Sequence, residues 1–346
     1  MSKISIIGID LAKQVFQLHG NDSRGHKILG KQLKRDQLLP FLATQPICLV
    51  AMEACGGAHY WARQIKALGH EVKIIHPRYV KPFVQVHKND QRDAQAIAEA
   101  AARPSMPSVA VKSVEQLDIQ ALHRVRERLV KEKTAIGNEL RGLLLEMGIT
   151  IAQGHKSLRE TVPLILEDAE RALSVRARHL IHDLREQWLE RERRIADYDR
   201  ELKLIAKENA VCEAIQSLPG IGLVNSTLLY SHAGDAAHFK SARQFGAYLG
   251  LTPRQHATGG VGKMLGISKQ GSKHVRKQLV HDARAAYRVL VQPDNDSRLG
   301  RWVKRKSMEG KHVNKIVVAL ANKLARIVWA IMKTGQPYQP MRGLEA

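Results

Sequence analysis

Short apolar blocks alternate with polar and glycine-rich stretches over the first hundred residues. Four blocks have the β-branched, apolar character of strands: residues 3–9, 15–19, 47–52 and 71–75. The first two resemble a hairpin, and helical patterns cover residues 35–44, a stretch that ends at Leu68 and a stretch that begins near Asp90. Strands that alternate with helices predict an α/β domain with a mixed sheet over residues 1–112.

The pattern changes to long, charged, amphipathic helix over residues 113–208. A first apolar series recurs mainly at three-, four- and seven-residue steps, and a second series follows it: Leu117, Leu122, Val125, Leu129, Ile136, Leu140 and Leu143, then Leu180, Leu184, Leu189, Ile195, Tyr198, Leu202 and Ile205. They predict two antiparallel helices that form a coiled-coil arm. Residues 150–163 would connect the two helices. A pair of charged helices exposed to solvent also explains the pattern. The near-neutral net charge of this segment favours an arm or a dimer contact over an element that binds in a nucleic-acid groove.

A third segment, residues 209–346, is mainly α-helical. Helices are predicted over residues 211–217 and 223–230, and the Pro-Gly-Ile-Gly turn between them resembles a helix-hairpin-helix. A last amphipathic helix covers residues 312–334.

Composition narrows the class of protein. The chain has 346 residues, 44% of them hydrophobic, which is enough for the cores of two or three domains. It has no uncharged apolar run of about 18 residues and no signal peptide, so we expect a cytoplasmic protein without a membrane span. Cys48, Cys55 and Cys212 are an odd number without a C-x-x-C pair, which argues against disulfides and structural zinc and favours buried thiols.

Positive charge is concentrated at the C-terminal end. The formal net charge is +22, and residues 211–346 carry 21 basic and 7 acidic side chains. Such an excess favours a polyanionic partner, because each basic group placed on a phosphate releases a condensed counterion. Nucleic acid is favoured over a membrane surface, since the basic residues are spread over many turns.

Four acidic residues occupy positions that suit metal chemistry. Asp10 and Glu53 each end a predicted strand, and Asp90 and Asp93 share one face of a predicted helix. Carboxylates held close together repel one another unless a cation such as Mg²⁺ lies between them, and two such ions can clamp a phosphodiester.

Taken singly, three of these acids also have structural explanations. Asp10 suits an Asx turn, and Asp90 suits a helix N-cap with Asp93 favouring the helix dipole. Glu53 follows six apolar or small residues, where an unpaired carboxylate is costly.

Glycine turns and basic residues are candidates for contacts to nucleic acid. Gly220 and Gly222 can present backbone N–H groups to phosphate, although a tight turn without a ligand explains them equally well. Residues 258–263 are not a Walker A loop, because Ala257 and Met264 occupy its first glycine and Ser/Thr positions. The basic candidates, which solvated helix faces would also explain, are Arg254, Lys263, Lys269, Lys273, Arg276, Lys277, Arg301, Lys304, Arg305 and Lys306.

Five ordered motifs resemble one family. They are residues 7–13 (IGIDLAK), 52–57 (MEACGG), 89–94 (NDQRDA), 218–222 (LPGIG) and 244–254 (QFGAYLGLTPR). Together they resemble the DEDD transposases of the insertion-sequence family IS110, and residues 258–269 are similar to its IS1111 subgroup. The resemblance covers essentially the whole chain in the right order.

The resemblance implies a fold and a function. The fold is a RuvC-like, RNase H-like α/β domain, a coiled-coil arm and a C-terminal transposase domain. Asp10, Glu53, Asp90 and Asp93 would bind Mg²⁺. The partners would be the DNA of the element ends and target, a structured guide RNA encoded by the element, which selects DNA by base pairing, and further copies of the chain in a dimer or tetramer.

The resemblance also implies a hydroxyl nucleophile in the C-terminal domain. Relatives commonly have Ser-Ser or Ser-Thr before the Gly-Gly pair, whereas this chain has Ala257-Thr258. Thr258 is therefore the candidate nucleophile, although its methyl group crowds attack on phosphorus, and impaired cleavage is the other outcome. Ser268 is a weaker candidate, because it also suits the N-cap of a basic helix.

Two other functions stay open at this point. A RuvC-like nuclease or junction resolvase would use the acids with metal-activated water and would not need Thr258. A non-catalytic nucleic-acid-binding protein would need neither.

Overall fold

The chain divides into two compact units, residues Met1–Ser113 and Val114–Ala346. The computed structural model describes residues 3–84, 90–170, 173–259 and 261–341, with the side chain of Val261 left out. The predicted motif residue Asn89 and the predicted Gly260 of the glycine-rich turn lie outside the described residues. The predicted arm and the predicted C-terminal segment share the second unit.

The first unit contains a five-stranded mixed sheet. Its strands are β1 (Ile6–Leu11), β2 (Val15–Asn21), β3 (Lys27–Lys34), β4 (Leu49–Glu53) and β5 (Glu71–Ile75), in the order β3-β2-β1-β4-β5. Strands β1, β2 and β3 pair antiparallel, and β4 and β5 continue the sheet parallel to β1. The predicted α/β domain with a mixed sheet is confirmed.

Strand β3 was not predicted from the sequence. It is an edge strand on which six of eight residues are exposed, so its apolar residues do not follow the alternation of a half-buried strand. Lysines at positions 27, 31 and 34 keep this edge charged, which disfavours pairing with another chain.

Helices cover both faces of the sheet. They are α1 (Leu38–Ala43), α2 (Ala58–Ala67), α3 (Pro77–Val80) and α4 (Asp90–Ala102), with 3-10 turns at Arg35–Gln37 and Lys81–Phe83. Helices α1 and α2 pack on one face, where Trp61 contacts the core around Phe16 and Met52. Helices α3 and α4 pack on the other face, where Ile97 and Val80 meet Ala51 and Ile75.

The alanine-rich helix α4 lies unusually close to the central strand β1. A Cβ atom built on Gly8 would be 2.3 Å from the carbonyl oxygen of Ala94 and 2.6 Å from the backbone nitrogen of Ala98. Only glycine fits this position, because any side chain would push the helix backbone off the sheet. The contact places the first turn of α4 beside the carboxyl end of β1.

The second unit begins with two long antiparallel helices. Helix α5 (Val114–Glu146) packs along α7 (Val175–Glu208), with ion pairs Arg126–Asp199 at 2.5 Å and Lys133–Glu192 at 2.7 Å. The prediction of two long helices is confirmed. The predicted connection over residues 150–163 is partly helical instead, because α6 (His155–Glu167) packs Leu158, Val162 and Ile165 in a core with Trp188.

The rest of the second unit has one helical core and a β-hairpin. Its elements are α8 (Ala210–Gln216), α9 (Leu223–Ala233), α10 (Ala242–Tyr248), β6 (Pro253–Thr258), β7 (Val261–Ile267), α11 (Lys273–Leu290), α12 (Arg298–Met308) and α13 (Val313–Thr334). The two helices predicted on either side of the Pro-Gly-Ile-Gly turn and the last amphipathic helix are confirmed, and the hairpin was not predicted. In the described part of the chain, no helix is long and apolar enough to cross a membrane.

We expect Gly8→Ala to destabilise the first unit, because the new methyl group meets the backbone of α4 rather than a movable side chain. The loss in the free energy of unfolding should be about 2 kcal/mol or more, measured by urea denaturation. Gly56→Ala is the control, since a Cβ on Gly56 has nothing within 4 Å. Equal stability of the two variants would contradict the packing role of Gly8.

Candidate active site

Asp10 and Glu53 lie next to each other at the ends of two parallel strands. In the register of β1 with β4, Ile9 pairs with Met52, and the two carboxylates directly follow this pair. Side chains alternate between the faces of a sheet, so Asp10 shares its face with Gly8, and Glu53 shares its face with Ala51. This is the face that α4 covers.

Helix α4 adds two carboxylates to the same place. Asp90 and Asp93 lie in its first turn, where the helix dipole favours negative charge. One carboxylate oxygen from each of Asp10, Asp90 and Asp93 lies within 4.8 Å of the other two. Asp90 is exposed, whereas Asp10 and Asp93 are half-buried. The three acids form a cluster that is open to solvent on one side.

Glu53 flanks this cluster without belonging to it. In the described part of the chain, Asp10, Asp90 and Asp93 are the group of His, Cys, Asp or Glu side chains close enough to share one metal ion, and Glu53 is not among them. Its backbone position beside Asp10 still directs its carboxylate to the same face. Three of the four predicted acids are therefore brought together, and the fourth lies beside them.

The donor set suits a hard divalent cation. Three carboxylates at this separation repel one another in the absence of positive charge, and a cation between them removes that cost. Mg²⁺ takes oxygen ligands and is usually held by one or two carboxylates together with water and substrate phosphates. The half-exposed cluster leaves room for such a substrate.

Cys55 lies at the edge of the acidic cluster. Partial burial raises the pKa of its thiol, and the nearby carboxylates of Glu53 and Asp10 raise it further. Cys48 and Cys212 are buried as predicted, but the prediction of a buried thiol is wrong for Cys55, which is exposed. The reason is its place in the turn between β4 and α2, beyond the last buried strand residue.

Thr258 lies at the tip of the hairpin formed by β6 and β7. It pairs with Val261 across the turn, and all six residues of β6 are exposed. Gly259, with φ +58°, takes the left-handed conformation that the turn requires. The hairpin thus presents the Thr258 hydroxyl at an exposed position of the second unit.

Ser268 occupies a different environment. Its Oγ is buried and has no hydrogen-bond partner among the described residues. The interpretation of Ser268 as a helix N-cap is wrong, because α11 begins at Lys273 and Ser272 caps it by accepting a hydrogen bond from the Val275 backbone nitrogen at 3.3 Å. A buried hydroxyl is poorly placed to reach a phosphodiester, so Thr258 is the better candidate nucleophile.

The two glycines of the helix-hairpin-helix turn differ in their surroundings. Gly220 has φ +84°, and a Cβ there would be 2.2 Å from the carbonyl oxygen of Asp282 in α11. Gly222 is exposed at the start of α9, and a Cβ there would have nothing within 4 Å. Packing against α11 accounts for Gly220, whereas Gly222 leaves the N-terminus of α9 open.

Sequence reasoning missed Asp282, which lies under this turn. Asp282 is 5% exposed and accepts a hydrogen bond from the Asn225 side chain, and its other carboxylate oxygen has no hydrogen-bond partner within the described residues. Burial raises the pKa of its carboxyl to about 7, against the smaller opposing effect of Asn225. Its position on the apolar face of α11, with Val275 and Leu279, was the available signal.

The basic candidates fall into two groups. Five have their charged ends engaged: Arg276 donates to the carbonyls of Leu249 and Gln270, Lys304 to that of Pro293 and Arg301 to that of Asp296, while Lys277 pairs with Glu127 and Lys306 pairs with Glu309. The other five are exposed: Arg254, Lys263, Lys269, Lys273 and Arg305. Arg254 and Lys263 belong to the hairpin that carries Thr258.

Comparisons with known proteins cover both units. A model of the DEDD transposases of the IS110 family matches residues 7–149, and a model described as the transposase IS116/IS110/IS902 family matches residues 212–298.

Similar full-length proteins come from several bacteria. The transposase for insertion sequence element IS1111A of Coxiella burnetii is 43% identical over 98% of this chain and 92% of its own length. A probable family 20 transposase of Pseudomonas aeruginosa is 43% identical over 97% and 99%. The transposase for insertion sequence element IS1328 of Yersinia enterocolitica is 40% identical over 97% and 98%. The chain therefore belongs to the IS116/IS110/IS902 family of transposases and is a DNA transposase.

Proposed function

We propose that this transposase cleaves and rejoins the DNA strands of an insertion sequence in a Mg²⁺-dependent reaction, guided by a structured RNA that the element encodes. The observation that carries the proposal is the convergence of Asp10, Asp90 and Asp93 within 4.8 Å at the end of the central strand. Three carboxylates this close repel one another, so a cation and a phosphate substrate are their best explanation.

The first unit is proposed to be a RuvC-like, RNase H-like domain. Three features support this assignment: the strand order β3-β2-β1-β4-β5, the parallel addition of β4 and β5, and acids at the ends of β1 and β4. Helix α4 then supplies the remaining acids from the first turn that faces β1.

Asp10, Asp90 and Asp93 would hold the cation, and Glu53 would complete its surroundings from the neighbouring strand. Mg²⁺ bound there would neutralise charge on the phosphate and lower the pKa of an attacking hydroxyl. The carboxylates would position this cation against the phosphodiester.

Thr258 is proposed as the nucleophile. Its Oγ1 forms a bond to phosphorus while the bond from phosphorus to one deoxyribose oxygen breaks, and the hydroxyl proton ends on that leaving oxygen. Attack by another DNA hydroxyl then restores the free threonine and joins the strands. The exposed position of Thr258 at the hairpin tip supports this role, whereas the buried Oγ of Ser268 does not.

The basic surface of the second unit is proposed to hold DNA and guide RNA. The exposed arginine and lysine side chains on the hairpin, α11 and α12 can lie against phosphates, which gives affinity without sequence preference. Sequence choice would then come from base pairing. We also propose that the working form is an oligomer of this chain.

We expect Asp93→Asn to reduce strand cleavage by about 100-fold or more while DNA affinity stays nearly unchanged, because the cation loses a charged ligand and the basic surface is intact. Cleavage of labelled element-junction DNA with Mg²⁺ and the co-purifying RNA is the measurement. Glu71→Gln, which removes an exposed carboxylate of β5, is the control and should cleave normally. Full cleavage by Asp93→Asn would refute the metal site.

Thr258→Ala should abolish a covalent protein–DNA adduct, because no hydroxyl remains at the hairpin tip. The adduct is trapped on a denaturing gel with wild-type protein, RNA, Mg²⁺ and junction DNA. Thr258→Ser should form the adduct at least as fast as wild type, since it lacks the crowding methyl group, and Ser268→Ala should form it normally. Cleaved DNA without an adduct in the wild type would favour a nuclease that uses water.

Exposed and engaged basic residues should differ in the salt dependence of DNA binding. Arg254→Ala with Lys263→Ala should make the slope of log affinity against log salt shallower by up to about two, roughly one for each phosphate that the protein no longer neutralises. Lys304→Ala with Lys306→Ala is the matched control and should change the slope little, because the two ammonium groups are already paired, with the Pro293 carbonyl and with Glu309. Equal slopes for both pairs would contradict this division.

A further inference from the structure

A second surface of the first unit has the chemistry of a nucleotide-binding groove. It has a volume of about 700 Å³ and lies between the β1–β2 turn, the start of α1 and helix α2. Its walls include Lys13, Lys34, Arg35, Asp36 and Tyr60, with Trp61 beneath them. The groove thus combines three cations and one carboxylate with two aromatic rings.

Arg35 forms a rigid stacking surface in this groove. Its guanidinium lies 4.9 Å from the centre of the Trp61 ring and 5.8 Å from that of Phe16. Its Nη1 donates to the carbonyl of Lys13 at 3.4 Å. Residue Arg35 is nevertheless exposed, so one side of its guanidinium rests on Trp61 and the other side is available to a planar group.

Tyr60 extends the stacking surface at the mouth of the groove. It is 45% exposed, and its ring meets Trp61 edge to face at 5.2 Å between centroids. Trp61 is only 4% exposed and anchors both Tyr60 and Arg35 to the core. An exposed aromatic ring held this way loses little freedom when a base stacks on it.

The groove is close to the acidic cluster along the chain. Lys13 follows Asp10 by three residues, which can span at most about 11 Å, and α2 follows Glu53 after a four-residue turn. Both walls are therefore continuations of the two strands that end in carboxylates. The acids face α4, whereas the groove lies on the side of α1 and α2.

We propose that this groove binds an unpaired nucleotide of the strand whose phosphodiester lies at the acidic cluster. The base stacks on Arg35 and Tyr60, and the adjoining phosphates lie against Lys13 and Lys34. A paired base is already stacked within its duplex, so only an unpaired base can enter. The proposal rests on the proposed function for the position of the strand, and the groove chemistry fits unpaired DNA and unpaired RNA alike.

The test is binding of the full-length protein to fluorescent 12-nucleotide single strands of DNA and of RNA, and to duplex DNA, with EDTA present. Tyr60→Ala should weaken single-strand binding by about tenfold, the loss of one stacked base, and leave duplex binding unchanged. Tyr60→Phe should bind like wild type, because the ring remains. Tyr79→Ala removes another exposed tyrosine of the same unit, 38% exposed and outside the groove, and should have no effect.

A crosslinking readout locates the contact. A strand with 5-iodouracil at successive positions should crosslink to the peptide that contains Tyr60, and Arg35→Lys, which keeps the charge and removes the planar group, should reduce the yield. Loss of DNA binding, with or without loss of RNA binding, supports the proposal, whereas loss with RNA alone would overturn the placement of the cleaved strand in this groove. Unchanged single-strand binding by Tyr60→Ala, or an equal loss for duplex DNA, would overturn it.

This experiment is independent of strand cleavage. Single-strand binding is measured without divalent cation and so does not require the metal site, whereas Asp10→Asn is tested for strand cleavage with Mg²⁺. If Asp10→Asn retained cleavage, the proposed function would fail while the groove result stood. If Tyr60→Ala bound normally and Asp10→Asn lost cleavage, the groove alone would fail.

Discussion

At Gly8 the backbone of α4 packs against β1 without an intervening side chain, and the acidic cluster depends on this contact. The carbonyl of Ala94 occupies the place where a Cβ of residue 8 would be. Asp93 precedes Ala94, and Asp10 lies two residues beyond Gly8 on the same face, so the contact sets the distance between strand-borne and helix-borne carboxylates. The run of alanines along α4 serves the same purpose, because small side chains let the helix approach closely.

At the carboxyl ends of β1 and β4, the two faces of the sheet carry different chemical groups. On the face covered by α4, the ends of β1 and β4 carry negative charge suited to a cation. On the opposite side, the same two strands lead into Lys13 and Tyr60, which suit phosphate and base. On the proposal made above, a nucleic-acid strand that passes over this end would meet both.

The sequence predicted those parts of the molecule whose burial leaves a periodic pattern. Strands β1, β2, β4 and β5 and the long helices were predicted because each buries an apolar face. Asp10 and Glu53 were predicted as site residues because each directly follows a buried apolar strand, where a carboxylate without a partner is costly. The i, i+3 spacing of Asp90 and Asp93, and then the family resemblance, predicted that these acids lie near Asp10, and carboxylate oxygens of the three residues lie within 4.8 Å of one another.

What the sequence did not predict depends on contacts between distant residues or on backbone pairing alone. Strands β3, β6 and β7 are held by ladder hydrogen bonds with mostly exposed side chains, so they leave no alternation. The close approach of Gly220 to Asp282 joins positions far apart in the chain. Ser272 rather than Ser268 caps α11 because the left-handed residues Lys269 and Gly271 delay the start of the helix.

The full exposure of β6 affects how firmly the end of the hairpin is held. A two-stranded ribbon is at best marginally stable in water on its own, and this one buries none of the six residues of β6, which ends at Thr258. Strand β6 itself thus contributes little free energy to holding the ribbon in one position, and a molecule that binds the exposed strand would also fix the position of the Thr258 side chain.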